Sequence, residues 1–216
     1  FMKKLLFVFG TRPEAIKLCP LIEEFRKYPE HVVTRVCVSA QHRTLLDQVL
    51  SLFQVEPDYD LNLMQPAQTL FQTTAAILQA MKGVIAQEQP DWVIVQGDTT
   101  TTFATALAAF YHQVPVAHVE AGLRTRNIYA PFPEEVNRRL VSVVATLHFA
   151  PTQGAKENLL REGIAAEQIF VTGNTVIDAL LRIQQQLRRS PELVTPACYP
   201  ELQKVDFAKP LILVTG

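Results

Sequence analysis

No stretch of the 216-residue sequence stays apolar for the roughly 20 residues that a membrane-spanning helix needs. The sequence also lacks an excess of either charge, because 20 Lys and Arg residues face 21 Asp and Glu residues, for a net charge of −1. This balance favours neither nucleic acid nor an anionic membrane as a partner. Any anionic ligand must therefore be held by a local site.

Cysteine is scarce and glycine-rich fingerprints are missing. The three cysteines, Cys19, Cys37 and Cys198, have no spacing typical of a metal site and leave one unpaired, so we expect free thiols in a reducing cytoplasm. No G-x-G-x-x-G motif follows the first apolar run, which gives a nicotinamide or flavin no support. We expect no metal ion and no cofactor.

Apolar, β-rich runs alternate with amphipathic segments. The pattern predicts strands at about 4–9, 32–38, 92–96, 115–119, 147–150 and 169–172, and helices at about 14–27, 43–53, 69–87, 100–112, 134–144 and 153–162. Near-continuous apolar strands between helices indicate a parallel sheet covered on both faces. We therefore predict an α/β fold with a doubly wound, Rossmann-like parallel sheet, in which ligands bind beyond the carboxyl ends of the strands.

The pattern changes after residue 173. A predicted helix at about 174–189 leads into a proline-rich segment, and an apolar stretch at 210–216 then resembles a buried strand with nothing to pair with. We interpret that stretch as the beginning of a second domain. The predicted divisions are an N-terminal catalytic domain at 1–173, a crossover helix and linker at 174–209, and the first strand of a truncated second domain at 210–216.

Candidate site residues follow the predicted strands. Arg12 follows Gly10 at the start of the first helix, where its planar donor fork and the free N–H groups suit an anion, although a surface arginine in an ordinary loop is the simpler interpretation. Asp98 follows the fourth strand and either caps the next helix or faces the crevice. Four threonines follow it and could also cap that helix, so Asp98 is not needed for capping.

Two further positions carry carboxylates. Glu120 closes the fifth strand, where a buried charge is costly unless it is functional or paired, for example with Arg124 or Arg126, and alternation places His118 on its side of the strand. Glu134 and Glu135 begin the next helix, where they suit the helix dipole. Alternatively, one of them faces the other carboxylates. Three carboxylates in one crevice would separate their pKa values, which provides an acid and a base near neutral pH.

Six motifs occur in a fixed order: FGTRPEAIK at 9–17, AQHR at 40–43, GDTTTT at 97–102, HVEAGLRT at 118–125, PFPEEVNR at 131–138 and TGNTVIDAL at 172–180. Together they closely resemble the bacterial non-hydrolysing UDP-N-acetylglucosamine 2-epimerases, over essentially the whole chain. The resemblance implies two Rossmann-like domains that face each other across a cleft, the glycosyltransferase-B-type architecture, of which this chain supplies the first. It also implies a cytoplasmic homodimer that serves cell-envelope polysaccharide biosynthesis.

The resemblance implies an isomerase that interconverts UDP-N-acetylglucosamine and UDP-N-acetylmannosamine. UDP and the C2 proton leave to give a 2-acetamidoglucal, and UDP then adds back with protonation on the opposite face. No metal or cofactor is implied, and we expect the fragment to be inactive without the second domain. The implied acid–base residues, with no direction assigned to each, are Asp98, Glu120 and Glu134, and the implied substrate-binding residues are Arg12, Arg138 and His118.

The resemblance also implies regulation. UDP-N-acetylglucosamine is expected to bind a second time as an allosteric activator, with Gln41 and Arg43 as contacts. Three alternatives stay open: a glycosyltransferase of the same build, a hydrolysing epimerase, and a domain that binds or dimerises without catalysis. Turnover without an acceptor would count against the glycosyltransferase, and accumulation of free N-acetylmannosamine with UDP would indicate the hydrolysing enzyme.

Overall fold

A computed structural model describes residues 2–39, 43–63, 65, 67–190, 204–206 and 208–212. Within them the strands are β1 Lys3–Phe9, β2 Val32–Val38, β3 Tyr59–Asp60, β4 Trp92–Gln96, β5 Val116–Val119, β6 Leu147–Ala150 and β7 Ile169–Val171. They form one parallel sheet in the order β3-β2-β1-β4-β5-β6-β7. The predicted doubly wound α/β fold is confirmed.

The helices also agree with the predicted segments. They are α1 Arg12–Phe25, α2 Arg43–Leu52, α3 Leu70–Glu88, α4 Thr100–Tyr111, α5 Glu134–Val144, α6 Gln153–Arg161 and α7 Val176–Arg189. Thr69, Thr99 and Thr152 cap α3, α4 and α6, because each hydroxyl accepts a hydrogen bond from a backbone N–H in the first turn. No helix in the described part of the chain is long and apolar enough to cross a membrane.

The central strands are buried because helices cover both faces of the sheet. Leu5 to Phe9 of β1 are all buried, and β1 pairs with β4 through Leu6 opposite Val93. A continuous apolar run is the expected pattern for such a strand. β3 was not predicted: it is a two-residue strand at the edge of the sheet, opposite Cys37 and Val38, and is too short to show a periodic pattern.

The strand order reverses between β1 and β4. The chain passes from β1 to β2 and β3 on one side, and β4 then opens the other half of the sheet. In doubly wound sheets the carboxyl ends of the two central strands bound a ligand crevice at this point. Gly10 allows the backbone after β1 to pack closely against the side chains of Ser39 and Thr101. A Cβ on Gly10 would overlap Ser39 Oγ and lie 2.6 Å from Thr101 Oγ1.

The chain divides into two compact units, Phe1–Ala179 and Leu180–Gly216. The division falls within α7, which occupies most of the predicted crossover helix at 174–189. Residues 210–212 have no regular secondary structure, and 213–216 lie outside the described residues. The strand at 210–216 and the three predicted divisions of the chain therefore stay predictions.

Candidate active site

Three acidic residues meet at the carboxyl ends of the strands. Asp98 follows β4, Glu120 follows β5, and Glu134 is the first residue of α5. Burial raises the pKa of Asp98, the charge of Arg138 opposes that rise, and the negative charges of Glu134 and Glu120 raise the pKa further. The charges of Glu120 and Glu134 thus both act on Asp98.

Asp98 is tied to α5. Its carboxylate forms an ion pair with the Arg138 guanidinium, and its backbone oxygen accepts a hydrogen bond of 2.9 Å from Asn137 Nδ2. Arg138 also lies 3.5 Å from Glu135 Oε2. Arg138, predicted to bind substrate, is thus placed by the structure as the ion-pair partner of Asp98.

Glu120 has an unusual backbone and two side-chain partners. Its φ is +63°, a left-handed conformation that is uncommon outside glycine, so the strand alternation used to align it with His118 stops at Val119. Lys17 Nζ lies 2.5 Å from Glu120 Oε2, and Gln96 Nε2 donates to the same oxygen at 3.0 Å. Lys17 was not predicted, although its place in the second turn of a helix that begins at the crevice was a usable signal.

The suggested pairing of Glu120 with Arg124 or Arg126 is wrong. Arg124 instead pairs with Glu162 through two bonds, Nε to Oε1 at 2.8 Å and Nη2 to Oε2 at 2.7 Å. Its Nη2 also donates to Ser142 Oγ at 2.9 Å. Bidentate pairing of this kind fixes the loop after β5 to α5 and α6.

His118, which was predicted to bind substrate, lies inside the protein. Its ring is 0% exposed, and Nε2 donates to the carbonyl oxygen of Gly97 at 2.7 Å. Burial lowers the pKa of His118 to about 3, so the imidazole is neutral at physiological pH. His118 supports the Gly97–Asp98 turn from within the protein and has no surface open to a ligand.

The two glutamates at the start of α5 have different environments. Glu135 is fully buried and accepts hydrogen bonds from the backbone N–H groups of Thr125 at 3.0 Å and Arg126 at 3.1 Å. Glu134 is partly exposed and makes no hydrogen bond or ion pair within the described part of the chain. Glu135 therefore holds the loop after β5, whereas Glu134 leaves its carboxylate available.

Arg12 is the first residue of α1 and is exposed. Among the residues that the structure describes it has no ion-pair partner. It lies at the N-terminus of α1, where the helix dipole favours negative charge, and its predicted anion-binding role stays a prediction.

Glu14 is a buried residue of the site that the sequence argument missed. It is 1% exposed, and its Oε2 accepts hydrogen bonds from Gly10 N at 3.0 Å and from Thr11 N at 2.8 Å. Its Oε1 lies 2.7 Å from Thr99 Oγ1 and 3.0 Å from Thr102 Oγ1. Thr11 and Glu14 form a capping box, and their spacing is a signal that could have indicated this local contact but not the link to the loop after β4.

The predicted allosteric contacts stay predictions. Gln41 lies outside the described residues, and Arg43 is the first residue of α2 with a side chain that is also outside the description. No group of His, Cys, Asp and Glu side chains in the described ranges is arranged to hold a metal ion.

Sequence comparison relates these residues to known proteins. The sequence model of the UDP-N-acetylglucosamine 2-epimerase family matches residues 24–215. The chain belongs to this family. It is 55% identical over 215 residues to the UDP-N-acetylglucosamine 2-epimerase of Salmonella typhimurium, an alignment that covers 99% of this chain and 56% of the relative. The corresponding enzyme of Escherichia coli K12 is 54% identical over the same lengths.

Solved structures share the fold. The UDP-GlcNAc 2-epimerase of Neisseria meningitidis bound to UDP-GlcNAc superimposes with a TM-score of 0.87 at 52% identity, over 92% of this chain and 53% of that chain. The Methanocaldococcus jannaschii enzyme in complex with UDP-GlcNAc and UDP gives a TM-score of 0.82 at 38% identity, over 88% of this chain and 52% of that chain. The chain thus spans about half the length of the relatives that it matches.

Proposed function

We propose that this chain supplies the acid–base half of an active site that interconverts UDP-N-acetylglucosamine and UDP-N-acetylmannosamine. The observation that carries the proposal is the meeting of Asp98, Glu120 and Glu134 beyond the carboxyl ends of the strands. Membership of the epimerase family and the nucleotide sugar named for the related structures support the choice of substrate.

The proposed reaction is an elimination followed by an addition. A base takes the proton from C2, the electrons of that C–H bond form the C1–C2 double bond, and UDP leaves C1 with the electrons of the C–O bond. UDP then adds back to C1 of the resulting 2-acetamidoglucal, and C2 receives a proton on the opposite face. The reaction leaves the sugar's oxidation state unchanged, so the proposal needs proton-transfer groups and a site for the diphosphate.

The environments of the carboxylates support different roles. Asp98 has a raised pKa because it is buried and faces two other carboxylates, although the charge of Arg138 opposes the rise, and a raised pKa suits a group that exchanges a proton with the substrate. Glu134 has no partner among the described residues and is the candidate to take a proton from the substrate. Because the reaction runs in both directions, the donor in one direction becomes the acceptor in the other.

The cations around the carboxylates have two proposed tasks. Arg12 and the N-terminus of α1 offer positive charge to the departing diphosphate. Lys17 and Gln96 fix the carboxylate of Glu120 through an ion pair of 2.5 Å and a hydrogen bond of 3.0 Å. Preorganised charges of this kind stabilise a transition state without reorganisation during the reaction.

We further propose that the remaining contacts to the nucleotide come from the part of the relatives that this chain does not span, so the isolated chain is inactive. A cytoplasmic homodimer, activated by a second UDP-N-acetylglucosamine at Gln41 and Arg43, completes the proposal.

Proton NMR of UDP-N-acetylglucosamine in deuterium oxide tests the proposed chemistry. The measurement compares this chain with a version extended to the length of its relatives. We expect the extended protein to introduce deuterium at C2 and to produce the mannosamine epimer, and the Asp98→Asn and Glu134→Gln variants to lose both signals. Glu157→Gln is the control, because Glu157 is an exposed residue of α6 that pairs with Arg161.

The alternatives predict other spectra. A glycosyltransferase would not turn over without an acceptor and would leave C2 unlabelled. A hydrolysing epimerase would release free N-acetylmannosamine and UDP. If the extended protein gives no exchange at C2, the epimerase proposal fails for this chain.

A further inference from the structure

Glu14 is a buried carboxyl group that the proposed reaction does not use. It lies between the turns that follow β1 and β4, at the point where the strand order reverses. No lysine or arginine in the described part of the chain pairs with it, and its partners are backbone N–H groups and threonine hydroxyls. A buried carboxylate without a cation is costly, so its protonation state needs an explanation.

The hydrogen bonds at Glu14 Oε1 explain its protonation state. Thr102 Oγ1 lies 3.0 Å from Glu14 Oε1 and 2.6 Å from the carbonyl oxygen of Gln96. A threonine hydroxyl has one hydrogen, and a carbonyl oxygen or an ionised carboxylate can only accept. If Glu14 were ionised, one of these two close pairs of oxygen atoms would therefore have no hydrogen between them.

Thr99 cannot supply the missing hydrogen. Its Oγ1 lies 2.7 Å from Glu14 Oε1 and already accepts a hydrogen bond from Thr102 N at 3.1 Å. Its own hydrogen is used at Oε1. A proton on Glu14 Oε1 supplies the missing hydrogen, because Oε1–H then donates to Thr102, the Thr102 hydroxyl donates to Gln96, and the Thr99 hydroxyl donates to Oε1. Of the close oxygen pairs in this cluster, Thr99 Oγ1 and Thr102 Oγ1, 3.1 Å apart, then have no hydrogen between them.

We propose that Glu14 is a positioning residue that works as a neutral carboxylic acid at neutral pH. Its Oε2 accepts from the turn after β1, and its Oε1–H begins a hydrogen-bonded chain through Thr102 to the backbone of Gln96. Burial acts in the same direction, because it is the largest influence on the pKa of Glu14 and raises it. A neutral group here also avoids a further negative charge beside Asp98 and Glu120.

The hydrogen bonds of Glu14 and Thr102 reach residues beside both Asp98 and Glu120. Thr99 follows Asp98 directly, and the side chain of Gln96 donates to Glu120 Oε2 at 3.0 Å. On the other side, Gly10 and Thr11 precede Arg12. One buried acid thus sets the spacing between the proposed diphosphate site and the proposed acid–base groups, a part of the inference that rests on the proposed function.

Carbon-13 NMR of glutamate carboxyl groups tests the protonation state. Glutamate-selective labelling of this chain excludes Asp98 from the spectrum, and Glu14→Gln identifies the resonance of Glu14. At pH 7 we expect one glutamate carboxyl at the chemical shift of a neutral acid, absent from the variant and present in Glu157→Gln. If the variant fails to fold, the wild-type spectrum decides: no neutral glutamate carboxyl at pH 7 overturns the proposal.

Kinetics of an extended, active protein test the positioning role. Glu14→Ala is expected to lower kcat about 10- to 100-fold, because small displacements of reacting groups have effects of this size, while KM changes little. Glu14→Gln keeps a neutral group with an acceptor and a donor and should restore most of kcat. Equal losses in both variants, or no loss in either, would refute the positioning role. An inactive wild-type protein refutes the proposed function and leaves the NMR result valid.

Discussion

Gly122 is the position where one methyl group has the most clearly defined consequence. It lies two residues after Glu120 and has a φ of +88°. A Cβ at this position would overlap the backbone carbonyl of Ala155 at the start of α6, with the carbonyl carbon at 2.8 Å. The opposing atoms belong to a capped helix and cannot rotate away. Gly122→Ala therefore combines backbone strain with a steric clash.

A second glycine separates the two effects. Gly163 has the same φ of +88°, but a Cβ on it would have nothing within 4 Å. Gly163→Ala should therefore cost only the left-handed backbone, about 1–2 kcal/mol. Gly122→Ala adds overpacking of about 1–3 kcal/mol and should lower the free energy of unfolding by about 2–5 kcal/mol in total.

Urea denaturation of both variants, followed by circular dichroism, measures the two costs. We expect Gly122→Ala to have the lower midpoint, with an unchanged dependence of the free energy on urea. In an extended, active protein, Gly122→Ala should also lose C2 exchange because the displaced loop carries Glu120, whereas Gly163→Ala keeps it. Equal midpoints for the two variants would refute the steric argument and the fixed position of this loop.

Three further predictions concern charged or titratable side chains. Burial holds the pKa of His118 at about 3 and of His148 at about 4, so both histidines are neutral when folded and gain a proton on unfolding below about pH 6.5. The free energy of unfolding should therefore fall as the pH drops from about 6.5 towards 4, by at most about 1.4 kcal/mol per pH unit for each histidine. The fall should be less steep in His148→Gln. Urea denaturation at several pH values measures both slopes. Glu135→Gln should lower the thermal midpoint because it weakens bonds to two backbone N–H groups, whereas Glu134→Gln should abolish C2 exchange in an extended protein with an unchanged midpoint. Arg138→Met should raise the pKa of Asp98 further, seen by carbon-13 NMR of labelled aspartate; an unchanged titration would contradict the ion pair.

The sequence was sufficient for the fold because the signals were long and repeated. β1 is a continuous apolar run, and Thr99 and Thr152 mark the starts of helices where the structure has them. β3 was out of reach because two residues at a sheet edge carry no period. Its pairing depends on the neighbouring strand, which is a property of the folded sheet.

The site was predictable only in part. The carboxyl ends of parallel strands lie at one edge of the sheet, so the positions of Asp98 and Glu120 after predicted strands could be derived. The side chains that pair with these residues could not be derived from the sequence. Lys17 of α1 pairs with Glu120, and Arg124 pairs with Glu162, the residue after α6, because side-chain pairing depends on distances between elements that sequence spacing does not encode.

Burial, rather than residue type, divides the acidic residues of this site. Glu14 and Glu135 are enclosed and accept backbone N–H bonds, whereas Glu134 follows Pro133 at the surface with its carboxylate unpaired among the described residues. Enclosed carboxyls hold turns in place because their bonds are shielded from water. The partly exposed carboxylates can meet a substrate, but only in the geometry that the enclosed ones maintain. Replacing Glu14 or Glu135 should therefore impair the chemistry without removing any group that reacts.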